Sequence, residues 1–159
     1  MGILDFLRPS AYRDPVLGNL VRQRGYWRGV INLGSQSGVP LLLAGPRAAP
    51  GEAGLGLARG LGQRYAALLP TIEHALFEHY EPYSEAEEAR EGEPVQEVPR
   101  LSRPEQVWGH VSLVRVRIEA LSGVDTVEIA YRTAWDTEHT VGARFQGWAL
   151  TELNGSVIS

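Results

Sequence analysis

The chain has no cysteine, and every one of its fifteen Lys/Arg positions is arginine. The missing thiol excludes disulfides, thiolate nucleophiles, iron-sulfur clusters and cysteine-ligated zinc. The missing lysine excludes Schiff-base chemistry, a pyridoxal phosphate anchor and a phosphate-loop lysine. No apolar run approaches the ~20 residues that cross a bilayer, so no membrane association is expected. The first eight residues, Met1 to Arg8, hold Asp5 inside a short apolar stretch, with no basic lead or small-residue cleavage site, unlike a signal peptide. Phe6 stands where a myristoylation motif has Ser or Thr. A cytoplasmic location is the expectation.

What is present is an ordinary globular composition: 159 residues, 43% hydrophobic, 21% charged, net charge -4. That length suits a single domain spanning 1–159. Between Glu81 and Arg100, seven glutamates face two arginines, a balance of -5 that leaves about +1 elsewhere. Residues 82–105 therefore read as an acidic, flexible insert on a nearly neutral body. Without a basic stripe, no nucleic-acid partner is expected.

For residues 1–25 the pattern assigns no structure. From Tyr26 to Leu33 and Val39 to Leu43, apolar and polar residues alternate as in a strand hairpin. The intervening Gly34-Ser35-Gln36-Ser37-Gly38 carries Gln36 where a nucleophile elbow has serine, so no such elbow is present. Leu61, Tyr65, Leu68, Ile72, Leu76 and Tyr80 form one helical stripe, and Pro70 within it predicts a kink or a split. His74 and Glu78, four apart, read as a solvent-side pair. His110 to Leu121 and Val124 to Trp135 alternate around a two-residue Ser122-Gly123 turn. That register sets Val116 opposite Ile129, Arg117 opposite Glu128 on the solvent side, and His110 opposite Trp135. A last pair, 143–148 and 150–153, precedes an Asn154-Gly155 turn. The expected fold is α+β: a mostly antiparallel sheet of five or six strands with one long or Pro-split helix packed on one face.

Trp135-Asp136-Thr137-Glu138-His139-Thr140-Val141-Gly142 is the densest polar cluster. This W-D-x-E-H-x-x-G string, with the W-x-G-x-I-x-L of Trp27, Gly29, Ile31 and Leu33, resembles a family of uncharacterised bacterial domains. Thr140 stands where that family often has glycine. The resemblance implies a bacterial α+β domain and supplies no catalytic residues.

Candidate site residues are Trp135, Asp136, Glu138 and His139, with His110 brought in by the register. Their structural reading is a carboxylate-capped turn; their chemical reading is a metal-dependent hydrolase, with His110 or His74 completing the ligands. Arg115, Arg117 and Arg132 form a candidate anion or partner patch on the outer sheet face. With no complete catalytic constellation and no metal or cofactor fingerprint, the sequence favours a non-catalytic protein that binds a protein partner, of accessory or immunity type. The acidic segment would mask a basic surface on that partner.

Overall fold

A computed structural model describes residues 9–94 and 97–157; the signal-peptide and myristoylation readings of Met1 to Arg8 lie outside the described residues. The elements are β1 (Ala11–Asp14), β2 (Gly18–Gln23), β3 (Tyr26–Leu33), β4 (Gln36–Leu43), α1 (Glu52–Glu88), a 3₁₀ turn (Pro104–His110), β5 (Val111–Leu121), β6 (Val124–Thr133), β7 (Thr140–Gln146) and β8 (Ala149–Val157). The strands form one sheet in chain order, β1 to β8. Pairs β1–β2, β2–β3, β3–β4 and β7–β8 are antiparallel, and β4–β5 is parallel.

Among the described residues the sheet thus has eight strands rather than five or six, with β1 and β2 added to the six segments read from the sequence. The helix is neither split nor ended by Pro70. Pro70 and Ala66 are both exposed, so the Ala66 carbonyl that proline leaves without its intrahelical donor faces solvent. Ser122-Gly123 and Gly147-Trp148 all have positive φ, which fits the tight two-residue turns that right-twisted strands prefer. Asn154 and Gly155 belong to β8 and are not a turn.

By internal contacts the chain divides into two compact units, residues 1–65 with 115–127 and residues 66–114 with 128–159. In the first, the register carries Leu20, Trp27, Ile31, Val39, Leu41, Leu43, Val116 and Ile118 on the buried side of the strands, each at most 7% exposed. Fully burying one such side chain stabilises by about 1.5–3 kcal/mol. Leu55, Ala58, Leu61 and Tyr65, spaced three, three and four, give α1 its buried face here. A Cβ at Gly29 would lie 2.5 Å from Cδ2 of Leu20, so any larger residue would force that buried side chain to move. Asp14 is buried on this side because it is fully used: Oδ1 accepts the Val16 and Leu17 N–H groups at 2.9 Å, and Oδ2 accepts Nε of Arg59 at 2.8 Å. The Arg59 guanidinium lowers the Asp14 pKa to about 2, against the opposing effect of burial and with help from the two backbone N–H groups.

In the second unit, Leu68, Ile72, Ala75, Leu76 and Tyr80 continue the helical stripe, and Ile129, Tyr131, Val141, Ala143 and Phe145 are buried with them. Within the stretch 82–105 expected as a flexible insert, residues 82–88 are the last turns of α1. Tyr80 ties down the chain beyond: its hydroxyl donates to the Pro99 carbonyl (2.7 Å) and accepts the Leu101 N–H (2.9 Å). Trp108, in the 3₁₀ turn, donates its indole N–H to Glu73 of the helix (2.6 Å).

Candidate functional site

The loop Ala134 to His139 joins β6 to β7. Its organiser is Asp136, 5% exposed. Oδ1 accepts the N–H groups of Glu138 and His139, each at 3.2 Å, which is how a short carboxylate closes a turn on its own chain. Oδ2 accepts the phenol of Tyr83, from the last turns of α1, at 2.8 Å. The His139 ring nitrogen Nδ1 lies 3.0 and 3.1 Å from the two oxygens. Burial pushes the Asp136 pKa up, but the bonds from Tyr83, His139 and the Glu138 N–H prevail and hold it below the ordinary value. Burial and this carboxylate push the Tyr83 phenol up to about 12. The result is an ionised carboxylate committed to its neighbours and a phenol held protonated, an arrangement that braces a loop and leaves neither group ready to move a proton near neutrality.

Beside it, Trp135 is fully buried and stacks edge-on to Tyr80 at 5.4 Å between ring centroids. Its indole N–H donates to Nδ1 of His79 at 3.0 Å. An indole can only donate, so Nδ1 bears no proton and neutral His79 carries it on Nε2. Burial lowers the His79 pKa; the negative Asp136 raises it and His139 lowers it further. Gly155 of β8 covers the other side of the ring: a Cβ there would sit 2.9 Å from Nε2.

Two clefts flank the loop. One, of about 540 Å³, is lined by Tyr83, Ala86, Glu87, Arg90, Val98, Asp136, Glu138 and His139. The other, of about 400 Å³, is lined by Arg132, Thr133 and residues 136–140. Of the expected site residues, Asp136, Glu138 and His139 are together, with Trp135 buried beneath them. His110 is not with them: it is exposed at the end of the 3₁₀ turn and lines neither cleft. Its carbonyl accepts the N–H of Ala134, one residue short of the expected Trp135, so the register is shifted at that end of the β5–β6 hairpin. His74 stays on the surface, 3.1 Å from Glu78. Among the described residues no group of three or more His, Asp or Glu could hold a metal ion. His79 and Tyr83 are the residues that sequence reasoning missed, although both continue the buried stripe of α1 through Ile72, Leu76 and Tyr80.

The three patch arginines are not an open surface. Arg115 is 8% exposed, Arg117 is half-buried with Nε 3.1 Å from Glu119, and only Arg132 is exposed. Glu128, expected on the solvent side, is 2% exposed and accepts Nε of Arg144 at 2.7 Å; Arg144 also reaches Glu152 at 2.6 Å.

Residues 24–158 match a family described as a domain of unknown function, DUF6985. The chain belongs to that family. The DUF6985 match takes in both Trp27 to Leu33 and the 136–139 loop. No curated protein and no solved structure matches the chain. No described helix is long and apolar enough to cross a membrane.

Proposed function

We propose that the protein works by binding a protein partner, not by catalysis, and that the 540 Å³ cleft receives a basic side chain or short basic segment of that partner. The observation that carries this reading is the division of labour among the carboxylates. Asp136 is spent on bracing the loop, while Glu87 and Glu138 line the same cleft without being buried. Ala86 and Val98 add apolar wall for an aliphatic stem. A hydrolase reading has less support, because the Asp136 carboxylate serves its own backbone and the phenol beside it is held protonated.

The test is fluorescence anisotropy with a labelled nona-arginine peptide. Glu87→Gln with Glu138→Gln is expected to weaken binding about tenfold, the effect of losing ~1.4 kcal/mol. Removing two equal charges just beyond α1 and outside the cleft lining, with Glu91→Gln and Glu93→Gln, is expected to leave most of the affinity. Equal losses in the two variants would reduce the cleft to unspecific attraction and end the reading.

A further inference from the structure

The open face of β1–β4 lies opposite the side that buries Trp27 and Leu41. The pairings set Ala11, Val21, Arg28, Leu42 and Arg117 in one row across five strands. In the next row Val30 stands opposite Pro40. An antiparallel sheet normally turns polar residues to water, yet Val30 is 55% and Val21 39% exposed here. Around them arginine predominates, the Glu119 carboxylate at the β5 margin being held by Arg117 and by the Tyr26 hydroxyl. The unit of residues 1–65 and 115–127 has ten arginines against five acids, a net of +5, and Arg13 and Arg28 stand on this face. An exposed apolar patch rimmed by polar groups marks an interaction site, and the rim asks for an acidic partner.

That chemistry is present on the chain itself. The unit of residues 66–114 and 128–159 has five arginines against fourteen acids, a net of -9. On α1, Glu78, Glu81, Glu85 and Glu88 are all exposed, and their spacing of three, four and three puts them in one line on a regular helix. From Glu78 to Glu88 that line is about 15 Å long at ~1.5 Å per residue. The four strands β1 to β4, at ~4.8 Å apart, present about the same width. We infer that the open β1–β4 face is a docking surface for the glutamate stripe of α1 on a second copy of this chain, the arginines meeting glutamates around a dry Val21–Val30 centre. This contact is separate from the cleft proposed above, whose Glu87 points to the other side of the helix from the stripe.

The test is sedimentation velocity on the full chain at ionic strengths of about 0.01 M and about 1 M, where charges act over ~30 Å and ~3 Å. The wild type is expected to self-associate at low salt and to be monomeric at high salt. Arg13→Glu with Arg28→Glu should abolish association, as should Glu81→Arg with Glu85→Arg. Mixing the two reversed variants should restore it, since each then offers the complement of the other's altered surface; this also proves both are folded. Val30→Asn, on the same face, neutral and clear of any ion pair, should weaken association without changing the salt response of the remainder. A monomeric wild type at low salt overturns the inference, as does association unchanged by either reversal. So does binding of a single-stranded oligonucleotide probe, lost in the Arg13/Arg28 variant, by a wild type that remains monomeric.

Discussion

Trp27 and Trp135 are both fully buried, and each spends its indole N–H on one acceptor, but the acceptors differ in kind. Trp27 donates to the carbonyl of Pro46 at 3.0 Å, which has the same charge at every pH. Trp135 donates to an imidazole, which can be protonated. The same contrast runs through the two units. The first secures its interior with backbone acceptors and with the Asp14–Arg59 pair, and its arginines keep their charge at any working pH. The second joins Tyr83, Asp136 and His139 by hydrogen bonds, sets the His79 ring 5.4 Å from that of Tyr83, and carries most of the carboxylates. Similar apolar cores can therefore answer acid differently, because pH acts on the polar groups that position them.

Three measurements would break or sharpen that contrast. Replacing either tryptophan by alanine leaves a large cavity and should cost about 3–5 kcal/mol in urea unfolding; a clear inequality would mean that one unit can collapse around the void. Asp14→Asn comes next, costing roughly 1–2 kcal/mol at pH 7 through the loss of charge-assisted hydrogen bonds. The Asp14 pKa falls from 3.8 to about 2 on folding, so its contribution is complete above 3.8 and disappears as the pH drops towards 2. Wild type and variant should accordingly converge in acid. The smallest effect is the most discriminating. Trp135→Phe and Trp27→Phe should each cost about 1 kcal/mol at pH 8, but the Trp135 penalty alone should shrink as the pH is taken below 6.5 and His79 becomes protonated. His79 has a folded pKa lowered from 6.5, so the stability tied to its neutral form is intact above 6.5 and is lost as the pH falls through the lowered value. Parallel penalties across that range would remove His79 from the account.

The sheet-plus-helix class and the later hairpins were legible because their buried positions are apolar. Strands β1 and β2 were not, since charged Asp14 and Arg22 share their inward side with Tyr12 and Leu20. Asp14 points inward to meet Arg59, Arg22 points inward to donate to the Gly45 carbonyl, and Val21 faces out. An inside-out strand erases the alternation by which strands are recognised. Asn154-Gly155 looked like a turn, but the glycine serves a different need, leaving room for the His79 ring. The loop from Trp135 to His139 stood out as polar and dense, whereas its supports came from α1, more than fifty residues earlier, where His79 and Tyr83 resemble any other members of an amphipathic stripe. Charge was misleading in the same way: counted along the chain it gathered in one insert, and counted by compact unit it separates into +5 and -9.

The parallel join between β4 and β5 bears on how this chain leaves the ribosome. Leu41 pairs with Val116, 75 positions later, so β1 to β4 can zip up as successive hairpins long before their last neighbour has been synthesised. The loop-closure entropy itself grows only by about 0.6 kcal/mol per doubling of length, and the cost falls mainly on time, because distant pairings form slowly. Until β5 arrives, the outer edge of β4 is an open template in a crowded cell, carrying Val39, Leu41 and Leu43 on one side. Pro40, with no N–H to offer, interrupts that template near its middle. A nascent chain with Pro40→Val should aggregate more during translation while the finished fold changes little.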